Sequence, residues 1–273
     1  AVGADQDNKT LSKLSFFAWR LFMIRVLVNG SNGKMGQEVI KLISKSSEFY
    51  LFGGLDKCKK DNLNYRIYSS ITDLTHLNDK PDVIVDFSVP DASLAVLSYA
   101  KSIKIPIVIA TTGFSNDNQK LINECSKNIP IFQSANMSFD INIMKNTVAN
   151  LATLLTDDDI EIVETHHNSK LDSPSGTAMM LADSINRKSG NKYTYIFNRH
   201  ENRQKRSKNE IGFSSIRGGN IVGEHSVLFF SDDESLEVKH IAYSRAVYAK
   251  GALKAAKFII NKPAGFYTMN DLI

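Results

Sequence analysis

Residues 24–28 form a strand-like apolar run that stops at Asn29-Gly30 and gives way at once to a helical pattern carried by Met35, Val39, Ile40, Leu42 and Ile43. Similar short apolar runs recur at 50–55, 83–87, 105–110 and 129–132, with helical stretches such as 92–101 and 118–126 between them. Parallel strands need crossover connections and antiparallel ones do not, so this alternation predicts an α/β first domain: a doubly wound parallel sheet with helices on both faces.

From about Ser138 the rhythm changes. A long helical stretch at 139–155 leads to a strand at 160–165, and a second helix starts near Gly176. Strand-like runs follow at 193–197, 211–216, 221–230 and 236–243, the last two separated by the turn-like Ser231-Asp232-Asp233-Glu234. Few helices among several strands predict a second, α+β domain with an antiparallel or mixed sheet. Residues 245–260 return to a helical stripe of Ala246, Ala249, Ala252, Leu253, Ala256 and Ile260, expected to close back on the first domain. The expected boundaries are an extension over 1–22, a first domain over 23–137, a second over 138–244, and a C-terminal helix and tail over 245–273.

The chain has 273 residues, 42% of them hydrophobic, enough to bury a core in each domain. A formal charge of only +4, spread along the chain, gives no reason to expect a nucleic-acid partner. Cys58 and Cys125 lie far apart without metal-type spacing, as in a reducing cytoplasm. No apolar run approaches the roughly 20 residues of a membrane span, so no membrane partner is expected. The segment 14–24 is interrupted by Arg20 and lacks the cleavage site of a signal sequence. It reads as an extension, with Met23 as an alternative natural start.

Gly30-Ser-Asn-Gly33-Lys-Met-Gly36 stands between a strand and a helix, where glycines let backbone approach a pyrophosphate and the helix N-terminus favours its charge. Asp56 ends the second strand about 20 residues further on, where an acid accepts hydrogen bonds from ribose hydroxyls. Lys57 beside it suits a 2′-phosphate, so NADH and NADPH both stay open. Ala110-Thr-Thr-Gly113 and Ser134-Ala-Asn-Met137 follow later strands and would face the same ligand.

The block from Glu164 to Ala178 carries the most chemistry. His166 and His167 at a strand end, with Lys170 after them, offer a proton donor near neutral pH and a cation for a carboxylate. Ser175-Gly176-Thr177 opens a helix whose amides form a second anion site, so a small dianion would suit the pair. Adjacent histidines on a strand point to opposite faces and no further ligand spacing is present, which argues against a metal.

Read together, residues 28–36, Asp86-Phe-Ser88, Ala110-Thr-Thr-Gly-Phe114, Ala135-Asn136, residues 164–178, Ile216-Arg-Gly-Gly219, Gly223-Glu-His225 and Ser244-Arg245 resemble the dihydrodipicolinate reductase (4-hydroxy-tetrahydrodipicolinate reductase) family, from about Ile24 to the end of the chain. The resemblance implies a Rossmann-like first domain and a second domain for substrate binding and oligomerisation, in a cytoplasmic homotetramer joined through the second domain's sheets. It implies hydride transfer from NADH or NADPH to a cyclic, unsaturated imine dicarboxylate on the diaminopimelate route to lysine. His166 and Lys170 match the family's proton-transfer residues; His167 and the amides of Gly176 and Thr177 match its substrate contacts. Gly30, Ser31, Asn32, Gly33, Lys34, Met35, Asp56, Ala110, Thr111, Thr112, Ser134, Ala135, Asn136 and Met137 match its cofactor contacts, and Lys57 joins them from the coenzyme argument above. Ala110 stands where Gly is usual, Met137 where Phe is common and Lys34 where Arg is common, which bears on coenzyme preference more than on the reaction.

Two other classes fit the glycine turn. One is a different nicotinamide dehydrogenase, against which the 164–178 block argues; the other is a dinucleotide-sensing protein without turnover. The basic run from Arg199 to Lys208 contains one acid and no aromatics, and is expected to be a solvated loop rather than a nucleic-acid site. Arg217 and His225 are read as turn, core or surface positions, with a subunit interface or the substrate pocket as the other reading. His240 is read as structural.

Overall fold

The computed structural model describes residues 23–58, 64–200 and 204–273; the expected extension over 1–22 lies outside the described residues. Two compact units divide the chain at Met137: the described residues before Ser138 cluster with Tyr248–Leu272, and Ser138–Val247 form the other unit.

The first unit is built on seven parallel strands, β1 (Ile24–Asn29), β2 (Phe49–Leu55), β3 (Ile67–Tyr68), β4 (Val83–Asp86), β5 (Ile107–Ile109), β6 (Pro130–Gln133) and β12 (Gly265–Tyr267), ordered β12-β6-β5-β4-β1-β2-β3. Helices α1 (Lys34–Ile43), α2 (Ile71–Thr75), α3 (Pro90–Ile103), α4 (Asn116–Ser126) and α7 (Ala246–Ile259) cover it. The period of two along β1 decides what each helix buries. Val26 and Val28 face Val39, Ile40 and Ile43 of α1 and the alanine stripe of α7, whereas Leu27 faces Val96, Leu97 and Ala100 of α3. All three β1 side chains are fully buried, which at about 1.5–3 kcal/mol each makes this strand the spine of the unit. Strand order reverses beside β1, whose neighbours are β2 and β4, and ligands of open parallel sheets bind at such a switch.

Helix α7 joins this unit by close backbone approach. A Cβ on Gly251 would lie 1.7 Å from the Met137 carbonyl oxygen, so only glycine fits there. Strands β3 and β12 and helix α2 are additions to the elements expected from sequence; each is too short to show a period.

The second unit carries a mixed five-stranded sheet, as its composition predicts. It is ordered β11-β10-β7-β9-β8 from β7 (Asp159–His166), β8 (Thr194–Ile196), β9 (Glu210–Arg217), β10 (Gly223–Phe230) and β11 (Ser235–Ala242). Strand β10 runs antiparallel to β7 and β11, while β7, β9 and β8 run parallel. Helices α5 (Phe139–Leu154) and α6 (Gly176–Lys188) supply Ile141, Met144, Val148, Leu181 and Ile185 to its core. Along β7 the buried face runs Ile160, Ile162, Glu164, His166, so the alternation that buries two isoleucines also buries an acid and a histidine.

The described residues of the basic run are exposed apart from half-buried Arg206, as expected of a solvated loop, and two of its arginines anchor it. Arg199 pairs with Glu210 at 2.9 Å and Glu161 at 2.8 Å, and Arg206 pairs with Asp159 at 2.7 Å. Arg206 Nη2 also donates to the carbonyls of Ile160 and Glu210. These two arginines pin the loop to the ends of β7 and β9, because strand-end carbonyls and acids there need donors.

Candidate active site

In the first unit the glycine turn is tight because its backbone atoms nearly touch. Gly30 has φ +76, and a Cβ there would lie 2.5 Å from the Phe87 carbonyl oxygen; a Cβ on Gly36 would lie 2.2 Å from the Gly30 carbonyl oxygen. Gly33 is the N-cap of α1 and brings no capping side chain, which leaves the first-turn amides of Lys34 and Met35 at the positive end of the helix. Such a cradle of backbone N–H groups fits a pyrophosphate. Asp56 Oδ2 accepts the Asn32 N–H at 2.9 Å, and Asn32 Nδ2 donates to the Cys58 carbonyl, so the acid also fixes the turn.

Gly30, Gly33, Asp56 and Lys57 come together around a cleft of about 520 Å³ whose walls include Ser69, Ser70, Phe87, Ser88 and Val89. Ser31 is buried under the turn, with Lys34 exposed and Met35 half-buried. Ala110, Thr111, Thr112, Ser134, Ala135, Asn136 and Met137 lie beyond β5 and β6, outside the walls of this cleft. The Thr111 hydroxyl accepts the Ser88 N–H at 3.0 Å and donates to Asp86 at 2.9 Å, so its one proton is spent inside the protein. Ser134 closes its loop by donating to the Asn136 carbonyl at 2.8 Å. The Met137 side chain is buried in the unit's core.

In the second unit a polar cluster occupies the end of β7. The His166 ring lies with Nδ1 2.5 Å from Glu164 Oε2. Arg217 grips the same carboxylate with both prongs, at 2.9 Å and 2.7 Å, and the Ser175 N–H adds a bond at 3.2 Å. Burial alone would raise the Glu164 pKa, but hydrogen bonds from Arg217, Ser215 and His166 outweigh it and hold the acid at about 2. Glu164 is therefore a carboxylate and takes the Nδ1 proton of His166, which leaves Nε2 as the end that accepts or gives a proton. Nε2 faces Gly223, where a Cβ would approach it to 3.1 Å. Burial lowers the His166 pKa; the bond to Glu164 opposes this, and the charges of Lys170 and Arg217 add to it.

His225 packs edge-on against His166, ring centroids 5.1 Å apart. Its Nε2 lies 2.9 Å from Ser175 Oγ, and that hydroxyl also accepts the Ala178 N–H as the N-cap of α6. Burial pushes the His225 pKa down to about 3, so the ring that meets this hydroxyl is neutral. His167, one residue beyond β7, is half-buried, with Nδ1 2.8 Å from Ser169 Oγ. Lys170 reaches Asp172 at 2.8 Å. Gly176 and Thr177 form the first turn of α6, and a Cβ on Gly176 would meet no described atom within 4 Å.

The structure thus gathers His166, His167, Lys170, Gly176 and Thr177 at one end of the second sheet, and adds Glu164, Ser175, Arg217 and His225 as their supports. For Arg217 and His225 the geometry favours the pocket over the turn, core or surface reading that the sequence alone prefers. They meet the block because Arg217 is the register partner of His166 on β9 and His225 that of Glu164 on β10. The one local signal was the spacing of Glu164 and His166, which places both on one face of a strand. Among the described residues no group of three or more His, Cys, Asp or Glu side chains could hold a metal ion.

Residues 24–137 match the family model described as dihydrodipicolinate reductase, N-terminus, and residues 140–273 match dihydrodipicolinate reductase, C-terminus. A 4-hydroxy-tetrahydrodipicolinate reductase of Caldanaerobacter subterraneus subsp. tengcongensis is 47% identical over 251 residues, covering 92% of this chain and 98% of the relative. That of Clostridium novyi is 44% identical over 253 residues, covering 92% and 98%. The solved structure of dipicolinate-bound dihydrodipicolinate reductase from Paenisporosarcina sp. TG-14 has a TM-score of 0.74 at 24% identity, covering 91% of this chain and 99% of that one, a likeness of fold. Through matches that run over both units, the chain belongs to the dihydrodipicolinate reductase (4-hydroxy-tetrahydrodipicolinate reductase) family.

Proposed function

We propose that the chain reduces 4-hydroxy-tetrahydrodipicolinate to tetrahydrodipicolinate, with NADH or NADPH as donor, in the diaminopimelate branch of lysine biosynthesis. The observation that carries this reading is the Glu164-oriented His166, beside a lysine and a helix N-terminus, in a chain 47% identical to a reductase of that name.

When bound, reduced nicotinamide supplies the hydride. The glycine turn of Gly30 to Met35 would hold the pyrophosphate and Asp56 the adenine ribose, and the loops at Ala110–Thr112 and Ser134–Met137, beyond the walls of that cleft, would meet the rest of the coenzyme. His167 and the amides of Gly176 and Thr177 orient the dicarboxylate. The Lys170 ammonium offsets the charge that builds on the ring as hydride arrives. His166 moves a proton at Nε2: Glu164 keeps the other nitrogen protonated, and a depressed pKa makes the imidazolium a stronger acid than an ordinary histidine.

Asp56 and Lys57 both line the cleft, so both coenzymes are accommodated in this reading, and Asp56→Ala weakens NADH binding more than NADPH binding. The opposite ranking, read by fluorescence titration, removes Asp56 from the ribose. We place the enzyme in the cytoplasm as a homotetramer joined through the second unit's sheet. Exposed Phe230, Ile241 and Tyr243, on one face of β10, β11 and the residue after it, support that assembly. Among the described residues no helix is long and apolar enough to cross a membrane.

The test is loss of NADH or NADPH absorbance when the chain receives substrate made in the same cuvette by dihydrodipicolinate synthase from pyruvate and aspartate semialdehyde. Oxidation that depends on both chain and substrate is expected. No oxidation despite coenzyme binding and a working synthase contradicts the assignment and leaves the dinucleotide-sensing reading.

A further inference from the structure

Lys170 already holds an anion. Its ammonium Nζ lies 2.8 Å from Oδ1 and 2.9 Å from Oδ2 of Asp172, so both oxygens of that carboxylate face it. The lysine side chain is 20% exposed and the aspartate side chain 61%, which puts the acid on the solvent side of the pair. Lys170 beside it holds the Asp172 carboxyl below the usual aspartate range.

The loop carrying the pair is fixed by its backbone. The Lys170 N–H donates to the His167 carbonyl at 3.2 Å, the His167 N–H to the Ile221 carbonyl at 2.8 Å, and Arg217 Nη2 to the Asp172 carbonyl at 2.8 Å. With its carbonyl held and its carboxylate in solvent, Asp172 leaves Lys170 by side-chain rotation alone. Arg217 offers an incoming anion no terminal proton, because its Nη1 protons go to Glu164 and the Ile216 carbonyl and its Nη2 protons to Glu164 and the Asp172 carbonyl, and its unpartnered Nε is buried away from solvent. Lys170 is thus the cation of this cluster whose partner is exchangeable.

We propose that Asp172 is an internal counter-ion that fills the substrate-carboxylate position, so that binding exchanges one carboxylate for another at Lys170. The proposal rests on Lys170 facing substrate, as in the proposed function. Asp172 is then a positioning residue: it sets affinity for dicarboxylates by what must be displaced. Solvent-exposed ion pairs are weak, so the displacement reduces affinity by no more than about fivefold.

The test is calorimetric titration of dipicolinate, a planar dicarboxylate, into the full chain saturated with NADH at constant ionic strength. Wild type, Asp172→Asn, Lys170→Met and the double variant are compared. Asp172→Asn is expected to bind roughly two- to fivefold more tightly, and the gain is expected to vanish in the Lys170→Met background, where there is no cation to release. A purely structural effect of Asp172 would move both backgrounds alike. Unchanged or weaker binding by Asp172→Asn, or an equal gain in both backgrounds, overturns the exchange while Lys170→Met still weakens binding. Wild-type affinity in Lys170→Met instead overturns the assignment of Lys170 to the substrate, and the exchange with it.

Discussion

Asp86 at the end of β4 and Glu164 near the end of β7 are 0% and 1% exposed, yet the two units hold them by opposite means. Asp86 accepts only neutral donors: Asn29 Nδ2 at 2.8 Å, the Ser88 N–H at 3.2 Å and its Oγ at 2.6 Å, Ser93 Oγ at 2.5 Å and Thr111 Oγ1 at 2.9 Å. These donors come from the end of β1, the loop after β4, helix α3 and the loop after β5, so one acid ties together the strand ends around the coenzyme crevice. Glu164 instead faces the forked cation of Arg217 and the ring of His166. A carboxylate surrounded by hydroxyls and amides is a joint; one pinned by a guanidinium is a fixed negative charge, able to orient a histidine and stabilise its protonated form.

The largest expected effect is on the charged side of this contrast. Glu164→Gln strands the Arg217 guanidinium and frees the His166 tautomer, and should cost about 3–5 kcal/mol of stability by urea denaturation and at least about 100-fold in turnover. Adding Arg217→Met should recover part of the stability, since no cation is then unpaired, and none of the turnover. Asp86→Asn strands no charge and should cost only about 1–3 kcal/mol. It should raise the KM for coenzyme while leaving dipicolinate affinity unchanged. Equal losses in Glu164→Gln and Asp86→Asn would break the distinction between joint and fixed charge.

Acid should separate the units by a smaller margin. His225 is held at about 3 against an ordinary 6.5, chiefly by burial and next by the charge of the facing His166. Glu164 is held at about 2 against 4.5. Both folded values are depressed, so their stabilisation is complete above the ordinary values and is lost as pH falls, from about 6.5 downward for His225 and from about 4.5 downward for Glu164. Burial raises Asp86, so the folded first unit takes up that proton more readily than the unfolded chain and gains stability from it. Between pH 6.5 and 5 the second unit should lose about 2 kcal/mol. Amide exchange corrected for intrinsic rates should then show β7 and β10 losing protection while β4 keeps it; equal loss in all three contradicts the contrast.

Much of this molecule was legible in sequence wherever a period or a turn signal persists. Strand β1, the glycine turn and α1 follow from Gly30 and the spacing of Val39, Ile40 and Ile43, and the mixed second sheet follows from runs of strand residues with few helices between them. Strand β3, with two residues, and β12, with three, carry no period and are defined by the neighbours they pair with. The histidine block stands out locally, whereas its supports do not. Arg217 and His225 lie far along the chain from Glu164 and reach it through strand register, a tertiary fact that one sequence does not display. The anchors of the exposed basic loop are hidden for the same reason: the acids that Arg199 and Arg206 meet, Asp159 and Glu161, come from another strand.

The claim at the centre of this account is that His166 moves the proton and Lys170 supplies the positive charge that turnover needs, both held ready by the second unit. Its most direct test is turnover of His166→Ala and of Lys170→Ala with freshly generated substrate and saturating coenzyme, beside a titration of coenzyme binding. Each variant should turn over at least about tenfold more slowly than wild type while binding coenzyme normally. Wild-type turnover in both would contradict the assignment.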